Sequence, residues 1–192
     1  MALPRVASAD LSALIAAVQA VLKEPHRLSV NGDVTTRGTG YDVFVGELWR
    51  LLGPYLVEPP RLVQRFPSIR VKDGRVTGGR YETSIVHTDA WSGNLSSVVM
   101  IPIEGDFERG GVEFYLPTRN LGRLLDEYPD YADVPDFGAI PVGRMESGKI
   151  YFLDAACLHK TMLGGRRVSV DVRLVYGDVE FSRRRNYVEY RK

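Results

Sequence analysis

The run from Arg167 to Val175 constrains the fold more than any other stretch. Val168, Val170, Val172 and Leu174 alternate with Arg167, Ser169, Asp171 and Arg173. Successive side chains of a β-strand point to opposite faces, so this period of two predicts a strand with one apolar and one charged face. The same texture of short segments between turns runs back to residue 60. Candidate strands span 68–72 (before Asp73-Gly74), 80–89, 96–103, 112–116 (after Gly110-Gly111), 139–145 and 149–154, and Gly164-Gly165 leads into the last one. Ahead of them, apolar residues recur at helical spacing in 8–23 (Leu11, Leu14, Ile15, Val18, Val21, Leu22) and 41–52 (Phe44, Val45, Leu48, Trp49, Leu52). Pro25 stops the first helix, and Pro54 and Pro59-Pro60 end the second. A further short helix is expected near 121–128.

Two helices followed by about eight short strands predict a mainly β chain, a double-stranded β-helix of the jelly-roll, cupin-like kind, with the N-terminal helices packed on one sheet. At 192 residues the chain is expected to be a single domain with a substantial core. Its parts are a helical cover over 1–60, a jelly-roll core over 61–180 and a basic tail over 181–192.

Chemistry enters with His87-Thr88-Asp89. Residues i and i+2 of a strand share a face, so His87 and Asp89 can converge on one point while Thr88 turns away. His159 lies several strands later. Two imidazoles and one carboxylate can bind a divalent metal and leave coordination positions open. The bland alternative is a strand-end histidine, a turn-capping aspartate and a loop histidine. Cys157 reads as a small buried filler rather than a ligand, and His26 as a surface residue.

Taken together, His87-Thr88-Asp89, the run Gly148-Lys149-Ile150-Tyr151-Phe152-Leu153-Asp154, His159 and the strand Arg167 to Arg173 resemble the iron(II)/2-oxoglutarate-dependent oxygenases, in particular the small members of antibiotic (aminoglycoside-type) biosynthetic pathways. The resemblance covers roughly residues 80 to 176. It implies that His87, Asp89 and His159 are the catalytic metal ligands for Fe(II), that 2-oxoglutarate is the cosubstrate and that O2 is consumed. It also implies that a basic residue on the last core strand holds the far carboxylate of 2-oxoglutarate. An arginine suits that role because its planar fork grips a carboxylate with two charge-assisted bonds. Arg173, in the pattern Asp171-Val172-Arg173, is the favoured anchor, with Arg167 as the other candidate. They share a strand face but lie about 20 Å apart at about 3.3 Å per residue, so one carboxylate cannot engage both. Ser169 and Tyr81 are further cosubstrate candidates, and Trp91 and Asn94 are expected to contact substrate.

The implied reaction is oxidation of a C–H bond of a small molecule, by hydroxylation or oxidative ring closure, with release of succinate and CO2. Net charge is +1 and names no macromolecular partner. Residues 104–136 carry nine acidic residues against three arginines, which suggests a polar or cationic substrate such as an aminoglycoside. The single cysteine and the lack of a secretory signal or membrane span suggest a cytoplasmic protein, monomeric or homodimeric. Arg183-Arg184-Arg185 in the tail keeps a nucleic-acid base demethylase as the alternative, although near-neutral charge makes nucleic acid an unlikely partner. A non-catalytic jelly-roll binding module is the third reading.

Overall fold

The computed structural model describes residues 8–29, 32–72, 86–87, 96–118, 139–154, 157–162, 164–177 and 186–191. Helices α1 (Ser8–Lys23) and α2 (Thr39–Leu52) come first. They are followed by strands β1 (Leu62–Gln64), β2 (Ser68–Lys72), β3 (Ser96–Gly105), β4 (Val112–Leu116), β5 (Ile140–Arg144), β6 (Tyr151–Leu153), β7 (Leu158–Thr161), β8 (Arg167–Val175) and β9 (Tyr187–Glu189). Among the described residues the strands form two antiparallel sheets. The larger runs β6-β3-β8-β1-β9, with β2 also paired to β8, and the smaller runs β5-β4-β7. The expected helix near 121–128 lies outside the described residues.

The alternation of β8 decides how the layers stack. Val168, Val170, Val172 and Leu174 join Val99 and Ile101 of β3 in one core with Leu14 and Val18 of α1 and Phe44, Leu48 and Leu52 of α2. The helices therefore cover the apolar face of the large sheet, as expected from the sequence. The opposite face looks into the space between the sheets. There Val98 and Met100 of β3 and Tyr151 and Leu153 of β6 pack with Val112 of β4 and Met145. Phe114 of β4 stacks on Tyr151 across that space, with ring centroids 5.2 Å apart.

In register, Val98 pairs with Arg173, Met100 with Asp171 and Pro102 with Ser169, so the charged residues of β8 share this interior with an apolar cluster. Gly105 closes that end of the sheet. It has a φ of 123°, and a Cβ there would stand 2.2 Å from the Arg166 carbonyl oxygen, so only glycine permits the approach. The C-terminal segment, expected as a basic tail, contributes β9, which pairs along β1 and extends the large sheet. Its short strand has Tyr187 and Val188 as β-formers, a weak signal beside the preceding arginines. No helix among the described residues is long and apolar enough to cross a membrane.

Candidate active site

His87 and His159 come together. Each donates its backbone N–H to the other's carbonyl, both at 2.9 Å, which places 86–87 against the side of β7 away from β4. Directly paired residues project to the same face, and the two ring centroids are 4.4 Å apart. Across β4, His159 pairs with Phe114, whose ring lies in the inter-sheet space, so the histidines face that interior. They are 2% and 5% exposed. His159 Nδ1 lies 2.9 Å from the Cys157 carbonyl oxygen. A carbonyl only accepts, so Nδ1 carries the proton and the ring's lone pair sits on Nε2, the atom a metal would take. Two buried imidazoles, one with its tautomer set by the backbone, fit a divalent metal. Asp89, Tyr81, Trp91 and Asn94 lie outside the described residues. Among the described residues no group of three or more metal-ligating side chains occurs.

The charged interior of the large sheet faces the same space. β2 pairs with β8 so that Ser68, Arg70 and Lys72 stand beside Asp171, Ser169 and Arg167. Arg70 bridges two carboxylates, Asp171 at 2.8 Å and Asp33 at 3.0 Å. Ser169 is buried, with Oγ donating to Asp171 at 3.5 Å.

Arg167 is the outlier. It is 2% exposed. One guanidinium nitrogen donates to the Gly110 carbonyl, while Nε has no hydrogen-bond partner among the described residues. Burial pushes its pKa down to about 10, opposed by the charge of Asp171, which is already bonded to Arg70. Burial, with Arg70 and Arg167 nearby, also lowers the pKa of Lys72. Among the described residues Arg70, Lys72 and Arg167 thus share one patch of the interior with two carboxylates, Asp171 and Asp33, both bonded to Arg70. Buried charges are normally paired, so this imbalance marks a place for an anion.

Arg173 has a different setting. β1 leaves β8 after Val63 pairs with Leu174, and β2 joins only at Ser68 opposite Asp171. In the break, the Gln64 side-chain oxygen accepts from the Arg173 backbone N–H at 3.1 Å. The break opens into a cleft of about 470 Å³ that Arg173 lines together with Arg37, Tyr41 and Phe66. The two arginines of β8 share an interior face but not a site.

Sequence reading did not single out Lys72 or Arg70. Their signal was present, since 68–72 carries the same alternation of polar and apolar residues as β8. Cys157 is half-buried against the apolar interior cluster, and His26 is exposed with Nδ1 on the Glu24 carbonyl.

No protein-family model and no curated sequence matches the chain. Solved structures do. The epimerase SnoN in complex with Fe3+, alpha-ketoglutarate and nogalamycin RO is 15% identical, with 94% of this chain and 82% of that one covered and a TM-score of 0.53. The non-heme alpha-ketoglutarate-dependent carbocyclase SnoK from nogalamycin biosynthesis is 17% identical, covering 90% and 78%, with a TM-score of 0.52. The chain is similar in fold to non-haem 2-oxoglutarate-dependent enzymes. HygX from Streptomyces hygroscopicus, with nickel and 2-oxoglutarate bound, repeats the likeness at 12% identity, 92% and 83% coverage and a TM-score of 0.52.

Proposed function

We propose that this chain is an iron(II)- and 2-oxoglutarate-dependent oxygenase acting in the cytoplasm on a C–H bond of a polar small molecule, with release of succinate and CO2. The observation that carries the reading is the buried, unmatched Arg167 on the same interior as the buried His87–His159 pair. His87 and His159, with Asp89, would hold the iron, and bound iron, 2-oxoglutarate and O2 would supply the oxidant. Arg167, rather than Arg173, takes the far carboxylate of 2-oxoglutarate. Ser169, buried on the same face of β8, can donate a hydrogen bond. Tyr81, Trp91 and Asn94 keep their roles as further contacts to cosubstrate and substrate.

An aminoglycoside-like substrate, processed by hydroxylation or ring closure, is the reading the acidic segment 104–136 supports. In its described part three of the carboxylates are already engaged. Glu104 lies 3.9 Å from Arg166, Asp106 caps the backbone of Arg109, and Glu113 is held between Arg144 and Lys160. The Tyr115 hydroxyl also bonds Glu113, and with the two cations it holds that carboxyl below its usual range.

The reading is tested by anaerobic calorimetry of the iron-loaded protein with 2-oxoglutarate. Binding that depends on iron, followed by succinate release in air, supports it; absence of both overturns it. A pH dependence is expected as well. A dianion beside Lys72 favours the charged amine, so binding takes up a proton when that amine is partly neutral. Affinity for 2-oxoglutarate therefore falls as pH rises through the lowered pKa of Lys72. Lys72→Met flattens that slope, which calorimetry across a pH series would record.

A further inference from the structure

We infer that the cleft between the edge strands β5 and β6 is a substrate subsite for an uncharged aromatic ring. The inference rests on the oxygenase reading above and names the substrate class of that site. Four observations lead to it.

First, the cleft lies on the row that carries the histidines. In register, Gly143 of β5 pairs with Phe114 of β4, Phe114 with His159 of β7, and His159 with His87. Directly paired residues project to one face, and neighbouring strands stand about 4.8 Å apart, so Gly143 is about 10 Å from His159 across the sheet. Gly143 and Phe114 both line the cleft, which measures about 550 Å³ and is of ligand size.

Second, the cleft runs into the space between the sheets. Tyr151 and Leu153 form its wall on the large sheet, and both pack with Phe114 and Cys157 in the apolar cluster of that space. Among the described residues β5 and β6 are the outer strands of their sheets, so the cleft enters between two sheet edges.

Third, a missing side chain leaves room. Gly143 lacks the positive φ that calls for glycine, and a Cβ there would meet no atom within 4 Å. Glycine weakens a strand interior, and one that the backbone does not require marks a place where a ligand can approach closely.

Fourth, the lining offers rings and no uncommitted charge. Arg144 holds Glu113 at 2.9 Å, Lys149 holds Glu146 at 2.6 Å, and Asp154 has a partner of its own. The Tyr151 hydroxyl accepts from the Glu146 N–H at 2.7 Å and donates to the Arg144 carbonyl at 3.3 Å, so this side chain offers the cleft its ring alone. An ammonium group or a carboxylate entering here would give up water with no uncommitted counter-ion among the described lining residues. An uncharged ring gains by burial, and more by packing against other rings. The amino sugar suggested by the acidic segment is thus replaced by a substrate that carries an aromatic ring.

The test titrates full-length protein with 2-naphthol, its saturated counterpart 2-decalol, and glucosamine. Calorimetry under nitrogen is run with iron and 2-oxoglutarate bound, and again without iron, where the naphthol oxygen has no metal to bind. In both series 2-naphthol is expected to bind about threefold to tenfold more tightly than 2-decalol, the scale of one aromatic pair, and about thirtyfold or more above glucosamine. Gly143→Ala is expected to weaken 2-naphthol binding by about threefold and Gly143→Leu by about tenfold or more, while 2-oxoglutarate affinity stays within about threefold. No binding of 2-naphthol, equal binding of 2-decalol, tighter binding of glucosamine, or naphthol binding that neither substitution weakens overturns the inference. The iron-loaded protein is also titrated with 2-oxoglutarate alone. Its failure to bind overturns the oxygenase reading, whereas the ring preference of the cleft is decided by the iron-free series in either case.

Discussion

Replacing Arg167 with methionine is expected to weaken 2-oxoglutarate binding by about 30- to 1,000-fold, the range for removing one partner of a buried, hydrogen-bonded charge pair (about 2–4 kcal/mol). The same substitution should not destabilise the ligand-free protein. Arg167 is 2% exposed with one nitrogen unpartnered among the described residues, and no carboxylate there is given over to it. Exchanging a poorly matched buried cation for an apolar side chain of similar volume is often neutral or stabilising. The two readouts thus move apart: the melting temperature of the free protein holds or rises, and the rise caused by 2-oxoglutarate disappears. A merely structural arginine would give the opposite pattern. Arg173→Ala is the control, expected to change 2-oxoglutarate affinity by less than about threefold, well under the buried-pair cost. If Arg173→Ala has the larger effect, the anchor is the residue that the Asp171-Val172-Arg173 pattern favoured.

That contrast shows what could be read from the chain and what could not. The alternation in 167–175 was enough to put both arginines on one face, and the structure agrees. It could not say how deep each lies, because depth depends on neighbours contributed from elsewhere. Arg167 is buried since β2, β3 and the Gly110 backbone close around it. Arg173 is half-buried since its neighbouring strand is interrupted between Gln64 and Ser68. The interruption falls at Phe66-Pro67, and a proline cannot donate to a central ladder, so the chain held a signal, although nothing local linked it to β8 more than a hundred residues later. The helices were legible because each buries a wide apolar stripe, independent of distant partners. β1 and β9, at three residues each, are too short to show a period. The His87–His159 pair sits between these cases: residue types and spacing suggested it, and only the backbone bridge between 87 and 159 brings the two rings together.

The second large effect is expected at that bridge. Removing the His159 imidazole leaves the pairing intact, because both hydrogen bonds between 87 and 159 are main-chain. His159→Ala should therefore fold, and far-ultraviolet circular dichroism should match the parent. Its affinity for iron(II) should fall by more than about 100-fold, beyond the tenfold to 100-fold cost of losing only a partner that supports a ligand. The consequence for stability can be gauged. Metal at a hundred times its dissociation constant contributes about 2.7 kcal/mol, which for a chain of this size is a rise of about 5–10 °C in melting temperature. The parent protein should show that rise with iron(II) under nitrogen, and His159→Ala should show none. Asp89→Ala should share the loss if the carboxylate is the third ligand; a rise that survives in both variants removes the metal site. Loss of metal should also carry away 2-oxoglutarate binding, because the cosubstrate is expected to chelate the iron. Arg167→Met behaves differently, since it keeps the iron-induced rise and loses only the cosubstrate. Measuring both ligands in both variants separates a metal that organises the site from a cation that merely recognises a carboxylate, and only the first makes the chain an oxygenase.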